Sequence, residues 1–333
     1  MAAQARFRLA ATAGAVAIVT MAMASPATAF DKVRYGLSWL PQGEHCGFFQ
    51  ARDTGLYEKA GLDVEIIPGG PGVNMGMMVA GGRVDFGMGS SFTTLNLIKQ
   101  NVPAVTVAAM FQKNPQTLVA HPDQGIAKLE DLKGKPIMVA NFSRTEFWQF
   151  LKARYGFDDA QLRPYTYNSG PFLADKNAVQ QGYVTEDAFF LGKELGKSPA
   201  IFLLADYGYS AYATTIYTLS ATVAEKPELV QRFVDASILG WKACMDGDPA
   251  PARKAIMAAN PEHSAELFDF KLAQMKAYGL VTGAEAEKFG IGAMSDARWK
   301  DFTETMVKAG VYTPDIDYKK AYTLAFVNKN LAM

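Results

Sequence analysis

The segment Trp39–Ala51 concentrates side chains that can take part in chemistry. Within a few positions it offers an indole at Trp39, a carboxylate at Glu44, an imidazole at His45 and a thiol at Cys46. An indole stacks on flat ligands, a carboxylate accepts hydrogen bonds, and an imidazole can donate, accept or exchange a proton. The segment joins a predicted strand to a predicted helix, and ligands of open α/β sheets bind outside the carboxyl ends of strands. We therefore predict that it forms one wall of a binding site.

Two of these residues also have ordinary structural interpretations. Trp39 is equally compatible with a place in the core, and Glu44 is suited to a helix start, where an acid complements the helix dipole. The spacing alone leaves both alternatives open.

Two further turns in the first part of the chain are candidate sites. The turn Pro68–Gly72 contains three glycines, and glycine lets the backbone approach a ligand closely, so Gly70 is a candidate. Ser90 and Ser91 open the predicted helix that ends at Lys99. They are expected to cap that helix, and a capped helix start can also bind a polar ligand.

The second part of the chain supplies the remaining candidates. Asn141 follows a predicted strand, and the pattern Ser-x-x-Glu over 143–146 predicts a capping box for the helix 147–155. The cap does not need Arg144, whose positive charge opposes the helix dipole, so we assign it to the site. Tyr207 follows another strand, and a tyrosine in such a turn offers a flat face with a polar tip.

Regular elements must position these turns. Strands and helices alternate from residue 30 to about 121, where segments 33–39, 62–67, 84–89 and 103–110 are predicted strands. Segments 118–122 and 212–219 are predicted to cross between two lobes. From residue 225 onward the pattern is helical, with Trp241 and Trp299 expected in the core or at an interface.

Residues 1–29 have the pattern of a secretory signal peptide. Arg6 and Arg8 precede an apolar run over 9–23, and Ala27-Thr28-Ala29 fits the cleavage pattern. No later stretch is apolar and long enough to cross a bilayer. We expect an exported protein of the bacterial periplasm.

Composition excludes several classes of function. Lys plus Arg and Asp plus Glu number 33 each, so no net field attracts nucleic acid. With two cysteines and three histidines, the chain has little from which to build a metal site, and neither GxGxxG nor a P-loop motif is present. No cofactor is expected. Cys46 and Cys244 are far apart in sequence, and we interpret them as unpaired.

The predicted crossings divide the chain into two α/β lobes. Lobe 1 comprises residues 30–120 and 214–333, and lobe 2 comprises residues 121–213. Because lobe 2 interrupts lobe 1 in the sequence, we expect a cleft between the two lobes. The two crossing segments are expected to act as a hinge. A ligand that touches both lobes then favours the closed state.

Several segments also resemble a known family. Trp39–Phe49, the stretch Gly55–Val64, Val84–Ser91, Leu129–Lys135 and Gln181–Glu186 resemble the thiamine-precursor-type and sulfonate/nitrate-type (NMT1-like) substrate-binding proteins of ABC importers. The resemblance covers nearly the whole mature chain and implies the type II periplasmic binding protein fold. It implies a monomer that binds a small-molecule ligand and delivers it to an inner-membrane permease with its ATPase.

Within that family, Trp-x-Pro-x-x-x-His resembles the binders of pyrimidine precursors, which implies a small nitrogen heterocycle such as an aminopyrimidine. Glu44 and Glu186 would accept hydrogen bonds from its amino groups, whereas an anion needs donors and positive charge. Gln42 and Glu44 stand where these binders often carry amides, which leaves a different heterocycle or a cationic amine open. The full set of predicted ligand-binding residues is Trp39, Glu44, His45, Gly70, Ser90, Ser91, Asn141, Arg144, Tyr183, Glu186 and Tyr207.

Three alternatives remain open. In the first alternative, the ligand is a sulfonate, nitrate or another small anion. In the second, the protein is a ligand sensor that docks on a membrane receptor. The third alternative is a secreted pyrimidine-processing enzyme with Glu44 and His45 as acid and base. No nucleophile is paired with these two residues, and the cysteine- and histidine-rich chemistry of the fungal pyrimidine synthases in this superfamily is absent, so we predict no enzyme.

Overall fold

The computed structural model describes Met1 and residues 30–331. The predicted signal peptide therefore lies, apart from Met1, outside the described residues. Within the described part of the chain, no helix is both long and apolar enough to cross a membrane.

The described residues form two five-stranded mixed sheets. The strands, in chain order, are β1 (Asp31–Gly36), β2 (Leu62–Ile67), β3 (Phe86–Ser90), β4 (Ala104–Phe111), β5 (Gln116–Ala120), β6 (Ile137–Val139), β7 (Leu162–Pro164), β8 (Val179–Tyr183), β9 (Ala200–Leu203) and β10 (Ala213–Leu219). The first sheet has the order β2-β1-β3-β10-β4, and the second has the order β7-β6-β8-β5-β9. We call the part of the protein built on the first sheet lobe 1 and the part built on the second sheet lobe 2.

Helices cover both sheets. They are α1 (Cys46–Asp53), α2 (Leu56–Lys59), α3 (Met75–Ala80), α4 (Ser91–Lys99), α5 (Phe147–Tyr155), α6 (Gly170–Ala174), α7 (Asp187–Leu195), α8 (Ser220–Glu225), α9 (Pro227–Asp246), α10 (Ala250–Ala259), α11 (Ala265–Ala277), α12 (Ala286–Phe289) and α13 (Asp296–Lys308). All eight residues of β4 are buried, as expected for a strand covered on both faces.

Both predicted crossing strands lie inside a sheet instead. Strand β5 pairs antiparallel with β8 and β9, and β10 pairs antiparallel with β3 and β4. The chain passes between the sheets just before β5, at residues 112–115, and again just before β10, at residues 208–212. The two predicted crossings are present, but their predicted positions were wrong, because an alternating pattern identifies a strand but not the strands with which it pairs.

Helix α9 packs closely on α1 through two glycines. A Cβ atom on Gly47 would lie 2.2 Å from Cγ of Trp241, and one on Gly240 would lie 2.3 Å from the carbonyl oxygen of Gly47. Trp241 and Trp299 are fully buried, so their predicted place in the core is confirmed.

The same contact brings the two cysteines together. Cys46 begins α1, Cys244 lies on α9, and their sulfurs form a disulfide bond with a Cα–Cα distance of 6.2 Å. The prediction of unpaired cysteines was wrong, because helix packing across a separation of 198 residues has no local signal. The bond closes a loop that contains all of lobe 2.

A buried lysine joins the two lobes. Lys271 on α11 has a fully buried side chain, and its Nζ lies 3.0 Å from Oε1 of Glu44 and 2.7 Å from Oε2 of Glu186. Glu44 belongs to lobe 1, whereas Glu186 directly precedes α7 in lobe 2. Thr185 of lobe 2 adds a second link by donating a hydrogen bond of 2.5 Å to Oε1 of Glu44. Burial lowers the pKa of Lys271, but the attraction of Glu44 and Glu186 outweighs it and leaves the pKa above its usual value.

Loss of the disulfide is expected to lower stability. Replacement of both Cys46 and Cys244 by Ala should reduce the free energy of unfolding by about 2 to 5 kcal/mol, because the bond constrains a long loop in the unfolded chain. Denaturant unfolding of both proteins, with and without a reductant, measures this. The reductant should weaken only the wild type, and equal stability of all samples would contradict the expectation.

Loss of the interlobe lysine is also expected to lower stability. Lys271→Met should reduce the free energy of unfolding by about 3 kcal/mol, since it leaves the buried Glu44 carboxylate without a counter-charge. Adding Glu44→Gln to the Lys271→Met variant should recover part of the lost free energy of unfolding, because it removes the unpaired carboxylate.

Lys193→Met provides a matched control for this variant. Lys193 of α7 and Glu266 of α11 also pair across the lobes, at 2.7 Å, but both side chains are more than half exposed. An exposed pair contributes about 0 to 1 kcal/mol, so this control should change little in the same denaturant titration. Equal effects of the two substitutions would show that burial of the Lys271 pair has no particular consequence.

Candidate functional site

A cavity of about 570 Å³ lies between the lobes. Lobe 1 contributes the turn after β1, the end of β3 and the start of α4, while lobe 2 contributes the start of α5, the loop between β7 and α6, and the end of β8. The cavity is therefore lined by strand ends and helix starts of both lobes. The candidate turns were predicted from the sequence at such positions.

Six of the eleven predicted site residues line this cavity. They are Trp39, Glu44, His45, Ser90, Tyr183 and Glu186. Trp39 is half-buried and lies outside the buried core, which removes the alternative of a core residue. Ser90 both lines the cavity and caps α4, accepting a hydrogen bond from the backbone N–H of Thr93 at 3.4 Å.

The other predicted residues lie outside the cavity lining, and three of them have structural contacts. The hydroxyl of Ser91 accepts a hydrogen bond from the backbone N–H of Tyr212 at 3.0 Å. The carbonyl oxygen of Tyr207 accepts a hydrogen bond from the hydroxyl of Tyr155 at 2.6 Å. A Cβ atom added to Gly70 would lie 3.6 Å from the side chain of Leu40, next to Trp39 in the chain.

Asn141 and Arg144 also lie outside the lining, because the local structure differs from the predicted capping box. A short 3₁₀ turn over Phe142–Thr145 precedes α5, and the hydroxyl of Ser143 is buried with no hydrogen-bond partner among the described residues. Glu146 occupies the N-cap position but makes no side-chain cap. The predicted capping box was wrong because the helix starts after this extra turn, and Glu146 lines the cavity instead.

Aromatic side chains supply much of the cavity surface. Trp39 of lobe 1 and Tyr167 of lobe 2 approach each other with ring centroids 5.6 Å apart, and Tyr165 lies 5.5 Å from Tyr167. The aromatic residues of the lining are Trp39, Phe111, Phe142, Phe147, Tyr165, Tyr167, Tyr183, Phe190 and Tyr209. Flat apolar faces from both lobes suit a flat ligand held between them.

The imidazole of His45 is a neutral part of the turn. Its Nδ1 accepts a hydrogen bond from the backbone N–H of Gln42 at 3.3 Å, and the backbone N–H of Gly43 donates to Nε2 of His263 at 3.1 Å. Burial, followed by the charge of Lys271, lowers the pKa of His45 to about 3 and that of His263 to about 4. Both rings therefore stay uncharged at neutral pH.

The acidic residues of the cavity differ in how they are satisfied. Glu44 and Glu186 share Lys271, and Asp187 accepts hydrogen bonds from the backbone N–H of Tyr183 at 2.6 Å and from the side chain of Gln180 at 3.0 Å. Burial raises the pKa of Asp187 to about 6, a rise that its hydrogen bonds limit.

Glu146 has no comparable support. Among residues 30–331, no side chain forms an ion pair or a hydrogen bond with its carboxylate, and burial raises its pKa to about 8. The described residues also contain no group of three or more His, Cys, Asp or Glu residues arranged to hold a metal ion.

Lys271 was not among the residues predicted from the sequence, although the pattern of its helix contains a signal for it. The buried residues of α11 are Leu267, Phe268, Lys271, Leu272 and Met275. Their spacing of three and four places the lysine on the apolar face of its helix, where an unpaired charge is not tolerated. A lysine in this position predicts a buried acidic partner. Tyr165 and Tyr167 had no such signal, since a loop has no periodicity.

Comparison with known proteins gives three related findings. The riboflavin-binding protein RibY of Chloroflexus aurantiacus is 24% identical over 307 residues, which cover 89% of this chain and 86% of that protein. The 4-amino-5-hydroxymethyl-2-methylpyrimidine phosphate synthase THI11 of Saccharomyces cerevisiae is 24% identical over 245 residues, with coverage of 66% and 72%. The structure of the periplasmic aliphatic sulphonate binding protein SsuA from Escherichia coli matches with a TM-score of 0.67 at 11% identity, covering 87% of this chain and 91% of that one.

The family model described as NMT1/THI5 like matches residues 42–252, which is more than half of the chain. The match begins in the turn that carries Glu44 and His45 and continues beyond Cys244. Together with the two sheets and the structural match, this assigns the fold predicted from the sequence. The chain belongs to the NMT1/THI5-like family and has the periplasmic binding protein fold.

Proposed function

We propose that the protein is the periplasmic solute-binding component of an ABC importer and that it binds a flat nitrogen heterocycle between its lobes. The observation that carries the proposal is the interlobe cavity, whose walls combine aromatic faces from both lobes with a few polar groups. Ligand pockets of periplasmic and other small-molecule binders have this composition. In this proposal the permease and its ATPase receive the ligand.

The charges around the cavity favour a heterocycle over an anion. No Lys or Arg is among the described residues that line it. The nearby Lys271 is already paired with two carboxylates, so its charge is not available to a sulfonate or nitrate. Recognition of such anions requires donors and positive charge, whereas N–H groups of a heterocycle pair with acidic side chains.

The cavity volume bears on the size of the heterocycle. A space of about 570 Å³ holds roughly twenty water molecules at about 30 Å³ each. An aminopyrimidine with roughly ten non-hydrogen atoms would fill well under half of it, because bonded atoms take up less space than separate water molecules. The two named relatives differ in the size of the molecule in their names. One is named as a riboflavin-binding protein, and the other is named as the synthase of a substituted aminopyrimidine phosphate. The proposed class therefore extends from an aminopyrimidine to a fused-ring heterocycle.

The site is poorly suited to the enzymatic alternative. An imidazole with a pKa of about 3 is a weak base at neutral pH. The carboxylate of Glu44 is held by Lys271 and Thr185. The disulfide between Cys46 and Cys244 removes the only thiols in the chain and suits an exported protein, which supports the periplasmic location.

Calorimetric titration tests the ligand class directly. The purified mature protein should bind 4-amino-5-hydroxymethyl-2-methylpyrimidine or riboflavin, since both present flat rings with N–H groups. Taurine and nitrate, which need positive charge, should give no heat of binding. Binding of an anion without binding of either heterocycle would reject the proposal.

Trp39 is expected to contribute a stacking face. Trp39→Ala should weaken binding of the heterocycle by about 1 to 3 kcal/mol, by analogy with base stacking on aromatic side chains. Trp39→Phe keeps a flat ring and should retain most of the affinity in the same titration. Unchanged affinity in the Ala variant, with an unchanged melting temperature, would show that Trp39 does not touch the ligand.

A further inference from the structure

We propose that Glu146 determines which edge of the heterocycle is recognised, by using a neutral carboxyl group that donates one hydrogen bond and accepts another. The preferred edge carries an N–H group next to an acceptor atom. This inference rests on the proposed function and adds a residue that the sequence had assigned to a helix cap.

The geometry separates Glu146 from the other acidic residues of the cavity. It lines the cavity at the start of α5, next to Phe142 and Phe147. Glu44 and Glu186 share the single positive charge of Lys271, and Asp187 is held by hydrogen bonds within lobe 2. Glu146 has neither kind of partner among the described residues, so its hydrogen-bonding groups are available to a ligand.

The surroundings of Glu146 also favour its neutral form. The tyrosines that interact with it electrostatically are Tyr183 at the end of β8, Tyr209 before β10 and Tyr312 after α13. The other titratable groups facing the cavity are Glu44, His45, Tyr165, Tyr167, Glu186 and Asp187. Arg144, two residues earlier, makes no ion pair with Glu146 in the described chain. Glu146 is partly exposed to the cavity. With no cation beside it, the surrounding protein raises the pKa of its carboxyl group and favours the protonated form.

A neutral carboxyl group has a specific recognition pattern. Its O–H donates and its carbonyl oxygen accepts, so it pairs through two hydrogen bonds with an edge that has an acceptor beside a donor. An aminopyrimidine offers a ring nitrogen next to an amino group, and the pyrimidine-dione edge of riboflavin offers a carbonyl next to N–H. A carboxylate can only accept, so it would lose one of the two bonds.

The pH dependence of binding gives the sharpest test. As burial raises the pKa of Glu146 to about 8, the group loses its proton between pH 7 and pH 9. Affinity of the wild type should therefore be highest below pH 8 and should fall about tenfold by pH 9. The pKa of Asp187 is about 6 and those of His45 and His263 are lower still, while those of Tyr165 and Tyr183 are raised, so these groups do not titrate in that range.

Three variants, titrated with 4-amino-5-hydroxymethyl-2-methylpyrimidine and with riboflavin at pH 7 and pH 9, complete the experiment. Glu146→Gln keeps a donor and an acceptor but cannot ionise, so its affinity should be independent of pH and should exceed that of Glu146→Leu at pH 7. Glu146→Leu should bind about 10- to 100-fold more weakly than the wild type, since both hydrogen bonds are lost. Glu194→Gln, on an exposed position of α7, is the matched control and should titrate like the wild type.

The outcomes separate this inference from the proposed function. If the wild type binds a heterocycle and Glu146→Leu binds it equally well, Glu146 has no role in recognition and the proposed function stands. A fall in affinity with pH that persists in Glu146→Gln would assign the titration to another group. If the wild type binds neither probe at either pH, the proposed function fails and this inference with it. Thermal unfolding of each variant, together with a carboxyl ¹³C titration of Glu146 in the unliganded protein, shows whether a weak variant is folded and where the group loses its proton.

Discussion

The buried charge of Lys271 constrains most of the cavity. Its side chain is fully buried on a C-terminal helix, and a lysine in that position must have acidic partners nearby. Glu44 and Glu186 meet that requirement from two different lobes. The ion pair therefore places the turn after β1 against the end of β8, and the walls that carry Trp39 and Tyr183 are set opposite each other as a consequence.

The same ion pair changes how the acidic residues of the cavity are interpreted. From the sequence, Glu44 and Glu186 were expected to recognise the amino groups of a ligand. In the structure both carboxylates pair with Lys271, whose single positive charge they share, and Oε2 of Glu44 is buried without a partner among the described residues. Glu146 is the acidic residue of the cavity lining whose carboxyl group has neither an ion pair nor a hydrogen bond among the described residues. A short 3₁₀ turn accounts for this difference, because it delays the start of α5 and places Glu146 in the cavity lining instead of in a capping box.

Local patterns allowed much of the fold to be predicted. The predicted strand 62–67 and the helices 75–80 and 147–155 coincide with β2, α3 and α5, because alternation and helical spacing are properties of neighbouring residues. Features that depend on contacts between residues far apart in the sequence were harder to predict. The pairing of β5 and β10, the disulfide between Cys46 and Cys244, and the loop that brings Tyr167 to Trp39 all require knowledge of which elements meet in space. Lys271 is an intermediate case. The sequence shows its position on the apolar face of its helix, but it does not show which acidic residues pair with it.

Under the proposed binding by closure, the arrangement around Lys271 also bears on how the cleft would open again. Opening would separate Lys271 from Glu186, whose side chain is 37% exposed, but it would leave Lys271 with Glu44 in lobe 1. The lysine thus keeps one acidic partner in either state, and the charge that must be rehydrated is Glu186, which already has access to water. A fully buried partner in lobe 2 would make opening far more costly, because a buried charge without its partner is strongly destabilising. The interlobe contact can therefore stabilise the closed form moderately, so that a ligand which touches both lobes decides the balance through its own differential affinity.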